Sequence, residues 1–180
     1  MIRGPLAITA LALLACGHAE PPGGVPVPHH EIPYRVTATR HILVRIKING
    51  HGPFNVVLDT GAPVVVLAGK LKEVVGVKPD AAGWATLDKL EIEGGVSLAN
   101  VTARFDDLYQ LEGMNGLGLA GVEIHGLVGY PVLARYRITY DFTRPTLEWS
   151  PLDITPDELP RRATRNVAPG GMDTLGGLMK

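Results

Sequence analysis

The chain is 180 residues long, carries a net charge of −1 and has charged side chains at only 19 % of positions. That length suits one domain with appendages, and the near-neutral balance leaves no electrostatic footprint for nucleic acid. With 22 glycines, 15 prolines and one cysteine, the composition describes a strand-and-turn protein without disulfides.

Residues 1–19 read as an export leader. Arg3 is the sole charge ahead of the apolar run Leu6–Ala15, which is too short to span a bilayer. Cys16 follows Leu13-Leu14-Ala15, a spacing that resembles a bacterial lipobox, in which the cysteine is lipidated and becomes the mature N-terminus. Ordinary cleavage after Gly17-His18-Ala19 is the competing reading. Either form places the domain outside the cytoplasm, periplasmic or anchored to the cell envelope. Residues 20–34 have the composition of a Pro/Gly-rich linker, held extended by proline. Within them, His29-His30-Glu31 is read as solvated linker rather than as a metal site.

A domain is expected over residues 35–150. Alternation from Val36 to Ile48 predicts one half-buried strand, and Asn49-Gly50-His51-Gly52 predicts a hairpin into the Phe54 strand. A short helical or turn-like segment runs from Leu67 to Val75 and is closed by Gly76. Thr86–Ile92 and Val96–Phe105 form a second hairpin across Gly94-Gly95. Gly116-Leu117-Gly118-Leu119-Ala120-Gly121 formally matches a dinucleotide-binding fingerprint, but no buried strand precedes it and no helical period follows, so it reads as a flexible loop. One short helix is expected over Tyr130–Tyr136, with Pro131 in its first turn. Arg137–Phe142 and Thr146–Trp149 complete the sheet. These short, turn-punctuated strands with one helix predict an all-β, small, partly closed barrel. Residues 151–180 lose periodicity and carry the basic run Arg161-Arg162-Ala163-Thr164-Arg165, as a largely disordered tail would.

Chemistry concentrates at Asp59-Thr60-Gly61, after the apolar run Phe54–Leu58 and before Ala62-Pro63-Val64-Val65-Val66-Leu67. A carboxylate at the end of a buried strand must find hydrogen-bond donors or shift its pKa. A glycine two residues on lets the backbone turn and bring an N–H to that carboxylate. The other readings of the chain are weaker. Ser97 and Ser150 lie outside any nucleophile-elbow context. With Cys16 in the leader, no cysteine nucleophile or cysteine-based zinc site remains. His41, His51 and His125 lack ligand spacing and read as surface or turn residues. The bland reading of Asp59 is an aspartate that ends a strand and caps a turn.

The segment Phe54–Leu67 resembles the active-site loop of the pepsin and retropepsin aspartic proteases. His125-Gly126-Leu127-Val128-Gly129 and the residues through Phe142 resemble the second half-motif of single-domain, retropepsin-like bacterial members. The resemblance covers roughly residues 35–150 and implies an acid-protease-type barrel. Asp141 is followed by Phe142-Thr143, so the chain has only one Asp-Thr-Gly loop, and the resemblance implies a homodimer with Asp59 supplied by each copy. It further implies a polypeptide substrate, no cofactor and no metal. The catalytic residues would be Asp59, Thr60 and Gly61: the Gly61 N–H bonds its own carboxylate, and the Thr60 hydroxyl bonds across the dimer. Ala62, Leu127, Val128 and Gly129 would support the loop. The flap candidate is Pro79–Trp84, with Gly83 and Trp84 its central residues. A catalytically inactive envelope lipoprotein that uses the same barrel to bind polypeptide or a partner is the alternative from another functional class.

Overall fold

The computed structural model describes residues 28–153 and Pro156. Among these, the elements in chain order are β1 (His30–Pro33), β2 (Arg35–Val36), β3 (Ile42–Ile48), β4 (His51–Leu58), β5 (Val65–Leu67), α1 (Leu71–Val74), β6 (Trp84–Ile92), β7 (Val96–Phe105), α2 (Tyr109–Gly116), β8 (Gly126–Val128), α3 (Tyr130–Leu133), β9 (Tyr136–Thr139) and β10 (Thr146–Pro151). The leader, Cys16, most of the expected linker and nearly all of the expected tail lie outside the described residues.

Six strands close into a barrel in the order β3-β4-β8-β5-β7-β6, with β6 pairing back onto β3. The all-β architecture expected from the strand pattern is therefore observed, but the barrel is closed rather than partly closed. Closure comes from Ile46–Ile48, which pair with both β4 and, through Leu90–Ile92, β6. Between Ile46 and Ile48 the single residue Lys47 stands against Gly52 and Pro53 of β4, a bulge that bends β4 at that point. Inside the barrel, Val44, Ile46 and Ile48 of β3 meet Val56, Val65, Leu67, Leu87, Leu90 and Val128, all essentially inaccessible to solvent. Arg45 and Lys47 alternate outward, as period-two patterning requires.

Two expected hairpins form. Gly94 and Gly95, both at φ near +100°, turn β6 into β7, and Asn49 and Gly50 with positive φ turn β3 into β4. Other expectations are corrected. The linker does not extend to residue 34: His30–Pro33 pairs antiparallel with Thr146–Trp149, and Ile32 is fully buried. Pro33 is tolerated because β1 is an edge strand. The strand expected from Val36 to Ile48 is broken at Thr37. The Thr37 N–H donates to the His41 carbonyl, the His41 N–H donates to Thr37 Oγ1, both at 2.9 Å, and Arg40 adopts φ +64°. A threonine side chain that bonds the backbone nearby offers an alternative to the ladder, and here it wins.

Among the described residues three short helices form, where one helix over Tyr130–Tyr136 and a helical or turn-like Leu67–Val75 segment are expected. The helix at Tyr130 stops at Leu133, and Tyr136 already belongs to β9. α1 forms within the Leu67–Val75 segment and ends ahead of Gly76 at φ +70°. α2 was not anticipated. It carries Gly113 and Gly116, which argue for a loop in any propensity-based reading.

Candidate active site

The strand that carries Asp59 has two buried faces. Phe54 and Val56 of β4 point into the barrel, whereas Val57 belongs to a second apolar cluster on the outer side with Leu43, Val66, Ala120, Ile124 and Leu127. Side chains alternate along a strand, so Asp59 leaves the ribbon on the same side as Val57. The ladder continues to that residue: the Asp59 N–H donates to the Val128 carbonyl at 3.0 Å.

After Asp59 the chain doubles back into β5, and β8 threads between the two arms. β8 runs parallel to β4, with Leu58 opposite Val128, and antiparallel to β5, with Val66 opposite Leu127. A strand from some 60 residues downstream thus fixes both arms of the loop. The Gly61 N–H donates to Asp59 Oδ1 at 2.9 Å, and the Ala62 N–H donates to the Asp59 carbonyl at 3.2 Å. Asp59 as a residue is half-buried, while Thr60 and Gly61 are exposed.

The loop is also clamped from below. The Tyr130 N–H donates to the Ala62 carbonyl at 2.8 Å. A Cβ on Gly129 would lie 2.3 Å from the Ala62 oxygen and 2.4 Å from the Val64 oxygen, so no residue with a side chain fits without moving the loop. A Cβ on Gly126 would likewise stand 2.3 Å from the Val66 oxygen. The glycines at both ends of β8 are there because two backbones pass within contact distance. Asp59, Thr60, Gly61, Ala62, Leu127, Val128 and Gly129 are thereby brought together.

Gly83 and Trp84 are not brought there. Pro79–Gly83 is a tight turn built on Asp80, whose Oδ1 accepts the Ala82 and Trp84 N–H groups at 2.9 Å. Trp84 pairs with Arg104 of β7, and a Cβ on Gly83 would meet the Phe105 carbonyl at 2.8 Å. The cleft beside this turn is lined by Lys72, Asp80, Arg104 and Asp106 rather than by the Asp59 loop. The expected flap is a β7-side turn. Asp141 is occupied locally as well: its Oδ1 accepts both the Thr143 N–H at 3.0 Å and the Thr143 hydroxyl at 2.6 Å.

Two residues around β8 differ from the sequence reading, one placed at the surface there and one not singled out. His125, expected at the surface, is half-buried just ahead of β8. Its N–H donates to the Asn55 carbonyl at 2.7 Å, its Nδ1 accepts the Asn55 N–H at 3.3 Å, and its ring lies 5.4 Å from that of Phe54. Burial pushes the imidazole pKa below its ordinary value, opposed in part by Glu123, whose carboxylate lies 3.6 Å away. Asn115 of α2 holds Ile124 by both its groups: Nδ2 donates to the Ile124 carbonyl at 2.9 Å and Oδ1 accepts the Ile124 N–H at 2.8 Å. The signal for Asn115 was an amide side chain inside a glycine-rich run, which is indistinguishable from loop composition.

Among solved structures, the chain is similar to a retropepsin-like aspartic protease from Rickettsia conorii. The two are 16 % identical, and the match covers 68 % of this chain and 89 % of that one with a TM-score of 0.47. No family model matches the chain. No curated protein matches it in sequence.

Proposed function

We propose that the chain is an aspartic endopeptidase that works as a homodimer, with Asp59 of each copy sharing one water. The observation that carries this reading is the loop itself. Asp59 stands half-buried at the end of β4, its carboxylate bonded by the Gly61 N–H and its backbone tied to Val128, beside an apolar face. Hydrolysis of a peptide bond needs both a base for the water and an acid for the carbonyl oxygen. One Asp59 supplies one group, and Asp141 is engaged in its own turn. A second copy supplies the other.

Two carboxylates at contact distance cannot both remain ionised, so they hold one proton between them and titrate as a pair. The ionised member removes a proton from the water as its oxygen attacks the carbonyl carbon. The protonated member gives its proton to the carbonyl oxygen, leaving a tetrahedral diol. Collapse of the diol breaks the C–N bond as the carboxyl proton passes to the leaving nitrogen and the other, ionised carboxylate takes a proton from a diol hydroxyl, so the pair again holds one proton. In this reading the Gly61 N–H orients the carboxylate, and the exposed Thr60 hydroxyl bonds the partner's loop.

The test is cleavage of unfolded casein from acid to neutral pH by the wild-type chain and by Asp59→Asn. We expect cleavage by the parent and a loss of at least about 100-fold in the variant. Mixing the variant into the parent is expected to suppress activity through inactive mixed dimers. Sedimentation showing only monomer under assay conditions would overturn the dimeric mechanism. Equal inactivity of parent and variant, with casein still bound, would favour the binding module. The proposal extends to location: export with lipidation at Cys16, checked by palmitate labelling that Cys16→Ser abolishes.

A further inference from the structure

We propose that Asp106–Gly121, with α2 at its centre, is a lid over the apolar face beside Asp59, and that it opens without unfolding the barrel to admit an apolar side chain of a polypeptide. The inference rests on the Asp59 reading for its purpose, but not for its test.

The face is made by Val57, Val66 and Leu127, with Ala62 and Val64 of the catalytic loop packed against the same cluster. Leu108, Leu111 and Met114 cover it. Val57 is two residues from Asp59 on the same strand side, so whatever lies over Val57 lies next to the carboxylate. A polypeptide presented to Asp59 must place a side chain there, and the lid occupies that place.

The cover is held loosely. No residue of α2 is buried, its N-cap Leu108 makes no side-chain cap, and Tyr109 and Leu117 are more than three-quarters exposed. Eight residues with two glycines lie well below the length at which a helix supports itself. A Cβ on Gly113 or Gly116 would meet nothing within 4 Å and neither has a positive φ, so these two glycines are required by neither packing nor backbone, unlike Gly118 at φ +64°. They leave the segment flexible instead. A cleft of about 230 Å³ separates α2 from the barrel, lined by Ala68, Lys70, Asp107, Leu111, Asn115 and His125.

The ends, in contrast, are pinned. The Asp106 N–H donates to the Leu67 carbonyl at 2.9 Å, and Asp107 Oδ1 accepts the Gly69 N–H at 2.8 Å. On the far side the Ala68 N–H donates to the His125 carbonyl at 2.8 Å. Between these anchors, the bonds of Asn115 to Ile124 and of the Ala38 N–H to the Leu119 carbonyl at 3.2 Å are the ones that opening breaks. Elements that gate a site are drawn from the least stable parts of a fold, and this segment has that character.

Native-state hydrogen exchange on the wild-type chain tests the lid directly. Amides of Glu112 and Leu117, bonded within the segment, are expected to exchange at least about 100-fold faster than the Asp59 amide, which is bonded to β8. Gly113→Ala with Gly116→Ala introduces methyl groups into open space and stiffens the helix. It is expected to slow exchange in α2 by about tenfold or more while leaving the Asp59 amide unchanged. Turnover of casein and binding of the apolar dye 1-anilinonaphthalene-8-sulfonate should fall in that variant and rise in Leu111→Ala with Met114→Ala. Exchange of α2 at the barrel's own rate, or turnover and dye binding indifferent to stiffening, would overturn the lid. Were no variant to cleave casein, the protease reading would fail, while exchange and dye binding would still decide the lid.

Discussion

The β4–β8–β5 ribbon is closed on its two faces by different means. Its inner face, with Val56, Val65, Leu67 and Val128, is sealed by the other strands of a continuous hydrogen-bonded ring. Its outer face, with Val57, Val66 and Leu127, is sealed by one short glycine-bearing helix and the turns after it. Both sets are buried, the inner one fully and the outer one to below 10 % exposure. What differs is what must break to uncover them. The inner face opens only with the ladder, whereas the outer face opens with a handful of local bonds. Low exposure alone therefore does not distinguish a structural core from a covered binding surface.

The comparison is broken most directly by truncation on each side. Leu67→Ala removes a fully buried side chain from the ring and is expected to cost about 2–5 kcal/mol in urea unfolding. Leu111→Ala, on the half-buried cover, is expected to cost about 1 kcal/mol or less. Equal costs would mean that α2 is part of the core. Next in size is Gly129→Ala, whose methyl has no room beneath Ala62 and Val64. A loss of about 1–3 kcal/mol is expected, with casein cleavage lost alongside because the Asp59 loop must shift.

Asn115→Ala removes two bonds to the Ile124 backbone and sharpens the contrast. It is expected to cost about 1–2 kcal/mol, and the effect should show as faster exchange in α2 more than in the strands. The smallest effect is that of His125. Burial holds its folded-state pKa below the ordinary 6.5, so the unfolded chain takes up the proton first as pH falls. Its contribution to stability is complete above pH 6.5 and declines below, down to its folded pKa. His125→Gln should flatten the urea midpoint across that window. Glu123, whose pKa is lowered chiefly by its bond from Lys70, acts in a separate window below its ordinary 4.5 and, being exposed, contributes little.

Much of the ribbon was legible because its determinants are local. The apolar run from Phe54 to Leu58 and the flanking Asp59-Thr60-Gly61 declare a strand that ends in a carboxylate turn. The Gly94-Gly95 hairpin needs only its own glycines. By contrast, β1 was hidden in linker composition because its partner, β10, lies more than 100 residues away. The position of the Pro79–Trp84 turn against β7 was likewise invisible, since nothing in those six residues names Phe105 as a neighbour.

By itself, then, the sequence determined most of the strand pattern and the Asp59 turn, each readable from backbone preference and alternation over a few residues. Only the tertiary structure decided that the barrel closes through β3 and β6, that β8 passes between the arms of the Asp59 loop, and that a glycine-rich run folds into a cover over Val57, Val66 and Leu127. Those outcomes depend on contacts between residues far apart in the chain. Their free energy comes from shared burial and from ladders completed at a distance, and neither leaves a local mark on composition or period.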